Sequence, residues 1–137
     1  MPNVVVDASV VVSAGLKPRS LPARAILLAR SYATIVISDA IEAEIRSVIA
    51  RPKFQDYAAE MTLILDAIIA MAERYEPTMV VTDCRDAKDN KYLELAFDAQ
   101  AEVIISGDDD LLSLHPWRGI AIVTAAEYVR QMEERTR

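Results

Sequence analysis

Five short apolar runs constrain this chain more than any other feature. They are Val4–Val6, Thr34–Ile37, Met79–Val81, Val103–Ile105 and Ile120–Val123. β-Branched residues dominate them with almost no polar alternation, the pattern of strands buried on both faces. Helical periodicity fills the intervals. Ser20 and Pro22 open a helix through about Arg30, and Ser38 caps one that ends before Arg51-Pro52. A longer helix is expected from about Gln55 to Tyr75, with Met61, Leu65, Ile68, Ile69 and Ala72 on one side. Another runs from Asp89 to about Ala99, a short turn covers Leu111–Leu114, and Thr124 with Glu127 forms a capping box for the last helix. Alternation of this kind predicts an α/β fold, one domain over residues 1–137, with a parallel central sheet and helices on both faces.

In such sheets, sites form beyond the carboxyl ends of the strands, where strand order switches. The acids of this chain collect there. Asp7 ends the first run, Asp86 and Asp89 follow the third, and Asp108 and Asp110 follow the fourth within Ser106-Gly107-Asp108-Asp109-Asp110. Taken singly, Asp7 and Asp89 also read as a turn or cap residue. Asp89, however, heads an inward stripe with Leu93 and Ala96, and three successive carboxylates at Asp108–Asp110 repel one another. Ser9 lies where a hydroxyl can support Asp7 or a bound water.

Glu42 and Glu44 both flank the apolar stripe of the helix after Ser38. Glu42 has Arg46 four residues later, so it reads as a surface ion pair, whereas Glu44 has no cation of its own on that helix. Glu44 is therefore favoured as the site residue. Asp83 reads as a loop residue, Asp109 as solvent-facing, and His115, the single histidine, as structural.

Composition is that of a globular chain, since 53% of residues are hydrophobic and 26% charged. No apolar run is long enough for a membrane span, the amino terminus lacks signal-peptide features, and the lone Cys84 excludes an internal disulfide and a cysteine metal site. A cytoplasmic protein is expected. The net charge of −6 argues against a nucleic-acid partner until its distribution is considered. Eight acids lie in or beside the proposed cluster: Asp7, Glu44, Asp83, Asp86, Asp89 and Asp108–Asp110. Setting them aside from the 21 leaves 13 against 15 Lys plus Arg. Carboxylates without a histidine or cysteine partner suit hard divalent cations, and bound cations draw phosphates.

Together these residues resemble the PIN-domain family, in particular the VapC-like toxin components of toxin–antitoxin pairs. The resemblance rests on Val4-Val-Val-Asp7-Ala-Ser9, Ser38-Asp-Ala-Ile-Glu-Ala-Glu44-Ile, Arg51-Pro-Lys-Phe54, Asp86-Ala-Lys-Asp89-Asn-Lys-Tyr-Leu-Glu-Leu-Ala96 and Ser106-Gly-Asp108-Asp-Asp110-Leu-Leu112. Ala87, Ser106 and the pair Ala8-Ser9 depart from the usual pattern without removing a carboxylate.

The resemblance implies that Asp7, Glu44, Asp89 and Asp108 are catalytic and bind metal, with Ser9, Asp86 and Asp110 in support. It also implies one or two Mg²⁺ or Mn²⁺ ions, an RNA substrate cut by phosphodiester hydrolysis, a cognate antitoxin protein and a homodimer. The helix over Met61–Ala72 is a candidate contact surface, and equally a plain core face. Two other functions compete. One is a PIN-fold protein that binds RNA or a partner without cleaving. The other is a carboxylate-dependent phosphatase, which would want an Asp two residues after Asp7, where this chain has Ser9.

Overall fold

The computed structural model describes residues 1–136. Five parallel strands form one sheet: β1 (Asn3–Val6), β2 (Thr34–Ile37), β3 (Glu73–Arg74), β4 (Val103–Ile105) and β5 (Ala121–Val123), in the order β3-β2-β1-β4-β5. Register is set by pairs such as Val5 opposite Val36 on one side and Val5 opposite Ile104 on the other. Successive strand residues point to opposite faces, yet Val4, Val5 and Val6 are all buried, so both faces of β1 are covered.

Among the described residues, seven helices surround the sheet: α1 (Ala8–Leu16), α2 (Leu21–Tyr32), α3 (Asp39–Ile49), α4 (Ala58–Met71), α5 (Asn90–Asp98), α6 (Asp109–Leu112) and α7 (Ala125–Arg135). Side-chain caps start most of them. Ser20, Ser38 and Thr124 accept from the N–H groups of Ala23, Ile41 and Glu127, as their sequence positions predicted. Short 3₁₀ turns at Pro52–Phe54 and Ala87–Asp89 precede α4 and α5.

Three expectations change. The helix expected over 55–75 is shorter at both ends, because residues 55–57 continue from the 3₁₀ helix as a turn before α4 begins, and β3 takes Glu73 and Arg74. The third strand is thus Glu73–Arg74, and Met79–Val81 is an extended segment outside the sheet. There Val80 lies open to solvent, while Val81 is buried and its N–H donates to the Glu94 carboxylate at 2.9 Å. A side chain has replaced a neighbouring strand as the hydrogen-bond partner. Finally, α1 was not anticipated. Its sequence, Ala-Ser-Val-Val-Val-Ser-Ala-Gly-Leu, is buried almost all round and so lacks an amphipathic stripe.

Strand order reverses at β1: the chain fills β2 and β3 on one side, then crosses to β4 and β5 on the other. The loops leaving β1 and β4 diverge and open a crevice at the carboxyl edge. Asp7, the first residue of that crevice, caps α1, which packs closely on α4. A Cβ on Gly15 would collide with Met61 Cγ and meet Met61 Cα at 3.1 Å. Gly15→Ala is therefore expected to lose about 1–3 kcal/mol through overpacking, read as a lower urea midpoint at unchanged slope. A midpoint equal to wild type would contradict that close approach.

Candidate functional site

Asp7 is the residue on which β1 becomes α1. Its N–H extends the β1–β4 ladder to the Ile105 carbonyl at 3.0 Å, and its carboxylate caps α1 by accepting from the Ser9 N–H. The Ser106 hydroxyl, at the end of β4, donates to the other carboxylate oxygen. Ser106 Oγ also accepts from the Asp108 N–H at 2.9 Å, while Ser9 Oγ accepts from the Gly107 N–H at 3.1 Å. Two serines thus stitch the loops after β1 and β4 together. Asp7 is 4% exposed, and burial raises its pKa against the opposing pull of the Ser106 and Ser9 hydrogen bonds.

Asp108 caps the short α6 through the Leu111 N–H at 3.2 Å. Asp89 holds the N-cap position of α5 but makes no capping hydrogen bond with its side chain. Capping of the preceding turn falls to Asp86, which accepts from the Lys88 N–H at 3.3 Å. The Asp89 carboxyl is left to face the cleft, where it shares a hydrogen bond with Asp108. Burial, then the Asp108 hydrogen bond and charge, then Asp86 and Asp7, push its pKa up to about 7.

Glu44 comes from α3 and is met by α5. Lys91 Nζ approaches it at 2.7 Å, and the Tyr92 hydroxyl donates to its second oxygen. Glu44 has no cation on its own helix, but the fold delivers one from another. Glu42 is the surface ion pair expected, with Arg46 at 3.1 Å, and Arg74 joins it at 2.6 Å. Tyr92 is 1% exposed, and its hydroxyl also accepts from the Ala8 N–H at 3.2 Å, so one phenol fastens Glu44 to the first turn of α1. Burial and the charges of Asp7 and Glu44 raise its pKa and keep it a donor.

Asp7, Ser9, Glu44, Asp86, Asp89 and Asp108 line one cleft of about 370 Å³, with Tyr92 at its base and Val12, Val48, Phe54, Arg51 and Lys88 around it. Asp110 does not line this cleft. It pairs with Arg85 at 2.7 Å. Sequence reasoning passed over Ser106 and Tyr92 as site residues. The strand-end position of Ser106 offered a signal, whereas the reach of Tyr92 required knowing that α5 crosses α3. His115 accepts from the Ile122 N–H at 2.9 Å and is structural, and Asp83 accepts from the Trp117 indole at 2.7 Å.

Among the described residues, no group of three His, Cys, Asp or Glu is already arranged to hold an ion. The donor set nonetheless suits a hard, hydrated cation. Mg²⁺ keeps several waters and binds through one or two carboxylates, so a closed cage is not required. The raised pKa of Asp89, caused by burial and by Asp108, Asp86 and Asp7, marks a place where positive charge would be favoured.

A family model described as PIN domain matches residues 3–110. An uncharacterized protein of Methanocaldococcus jannaschii is 31% identical over 116 residues, covering 82% of this chain and 74% of that one. Among solved structures, the crystal structure of VapBC2 from Rickettsia felis bound to a DNA fragment from their promoter is similar in fold. Its TM-score is 0.59 at 12% identity, over 88% of this chain and 96% of that one.

Raised carboxyl pKa values fix how stability responds to pH. Asp89 binds more protons in the folded chain than in the unfolded chain between its ordinary 3.8 and about 7, so stability falls as pH rises through that window. Asp7 acts in the same direction. Discounted for solvent screening, the loss is about 1–2 kcal/mol, or about 4–8 °C in Tm between pH 5 and pH 7.5 in chelator. Asp89→Asn should flatten the profile; an unchanged profile in that variant would contradict the assignment.

Proposed function

This chain belongs to the PIN-domain family, and from that premise we propose that it is a metal-dependent endoribonuclease and the toxin of a toxin–antitoxin pair. The observation that carries the reading is the convergence of Asp7, Glu44, Asp86, Asp89 and Asp108 on one cleft at the switch point of the sheet. Asp7, Asp89 and Asp108, together with Glu44 from α3 in the same cleft, are the proposed holders of Mg²⁺ or Mn²⁺. When bound, the cation supplies an activated water and positive charge against the phosphoryl oxygens.

The chain's own groups do the rest. Two hydrogen bonds from Ser9 and Ser106 fix the Asp7 carboxylate, so its orientation does not depend on the ligand. Lys91 and Tyr92 hold Glu44 in place through two separate donors. Asp89, whose pKa is raised to about 7 by burial and by the neighbouring carboxylates, is the group whose charged form a bound cation would favour. Asp86 borders this group, while Ser9, which also lines the cleft, holds Gly107 and Asp7 through hydrogen bonds. Asp110, tied to Arg85, supports the loop from outside.

The intact acids favour catalysis over passive binding. A phosphatase is disfavoured because Ser9 stands where its second Asp would be, with the Ser9 hydroxyl engaged by Gly107. The Rickettsia felis structure contains a VapBC pair, which supports an antitoxin partner here by analogy of fold. A homodimer is proposed on the side of α2 and α4. There Leu27 and Leu63 are exposed, whereas Met61, Leu65 and Ile68 are core residues. No described helix is long and apolar enough to cross a membrane, and a cytoplasmic setting is proposed.

The test is cleavage of total RNA by purified protein with Mg²⁺ or Mn²⁺, with fragment ends sequenced. Cuts at defined positions, abolished by chelator and reduced at least about 100-fold in Asp7→Asn/Asp108→Asn, are expected. Turnover of a small phosphoester with RNA left untouched would overturn the nuclease reading.

A further inference from the structure

The cleft has two unlike walls. One carries the carboxylates; the other is the turn after α3, where Arg51 and Phe54 line the same space. That turn is rigid for local reasons. The Arg51 N–H donates to the Val48 carbonyl at 3.1 Å, Pro52 fixes its own φ, and the Phe54 N–H returns to the Arg51 carbonyl at 2.9 Å. The two side chains are therefore presented from a fixed backbone.

Arg51 is exposed and forms no salt bridge with any described residue. Lys88, the other cation lining the cleft, pairs with Asp86 at 3.5 Å. An unpaired guanidinium beside so many acids is not there to neutralise them. Phe54 is only half-buried, and the Lys53 ammonium lies over its ring, 5.0 Å from the centroid. Stacking of a base on an aromatic ring is stronger than a cation–π contact at an exposed site, so a base can displace that lysine.

A ligand that suits both walls needs an anion for Arg51, a flat apolar face for Phe54, and a further phosphate at the acids. We infer that the Arg51–Phe54 turn is a nucleotide subsite for single-stranded RNA, in which Arg51 pairs with the phosphate next to the scissile one and Phe54 stacks on its base. The inference rests on the nuclease reading above and adds where that substrate is gripped. Duplex RNA is excluded from this grip, because its bases are stacked on one another and cannot reach the ring. A basic protein segment is disfavoured by the free charge of Arg51.

The test uses the full chain and a short single-stranded RNA spanning a cut site mapped in total RNA. Phe54→Leu, which keeps apolar volume, and Arg51→Ala should each raise KM about 5- to 100-fold with kcat within about threefold of wild type. Phe54→Tyr should retain wild-type KM, and melting curves of all three should match wild type. Binding of the same RNA, measured with Ca²⁺ in place of Mg²⁺, should lose about 0.7 from its log–log salt slope in Arg51→Ala. If wild-type protein cuts RNA but both variants keep its KM and salt slope, the subsite is wrong and the nuclease stands. If wild-type protein cuts no RNA, the nuclease reading fails and the subsite with it.

Discussion

The hydrogen bond from Ser106 to Asp7 joins the carboxyl ends of β1 and β4, and the geometry of the cleft follows from it. Adjacent strands that diverge in their connections would leave two independent loops. Here the hydroxyl at the end of one strand holds the carboxylate at the end of the other, and the same oxygen receives the Asp108 N–H. Ser9 returns the tie through Gly107. Each donor also stabilises the charged form of Asp7, which burial alone would drive toward neutrality. A buried carboxylate is tolerated because its partners are built into the sheet edge rather than supplied by flexible side chains.

The remaining acids show two ways of managing like charge. Glu44 is compensated within the protein by Lys91 and Tyr92. Among the described residues no cation forms a salt bridge with Asp89 or Asp108, and burial with the neighbouring carboxyl groups pushes Asp89 up to about 7. The cleft therefore has a satisfied side and an electrostatically unfinished side. On the proposed reading, a cation would gain most at the second, where it would relieve repulsion among Asp7, Asp86, Asp89 and Asp108. Tyr92 links the two sides, since its hydroxyl contacts both Glu44 and the start of α1.

Much of this was legible in the sequence where a local rule applies. Continuous β-branched runs gave β1, β2 and β4, and Ser20, Ser38 and Thr124 marked three helix starts through capping. The acids at Asp7, Asp89 and Asp108 stood out because they follow strand-like runs or head an apolar stripe. What was missed depends on tertiary context. α1 hides because a helix buried almost all round has no polar face, and β3 hides because two exposed residues carry no strand signal. Val80 and Val81 imitate a strand, yet the chain there pairs with the Glu94 side chain. Lys91 and Tyr92 reach Glu44 across 47 and 48 residues, a relation that no spacing rule contains.

The central claim is that the unfinished side of the cleft is a divalent-cation site that holds a proton until the cation arrives. Calorimetric titration of the purified protein with Mn²⁺ at pH 7, repeated in buffers of different ionisation enthalpy, tests it most directly. Saturable binding with release of a fraction of a proton is predicted, with both signals lost in Asp7→Asn/Asp108→Asn. Wild-type protein that binds no Mn²⁺, or binds it without proton release and equally well in the double variant, would contradict the account.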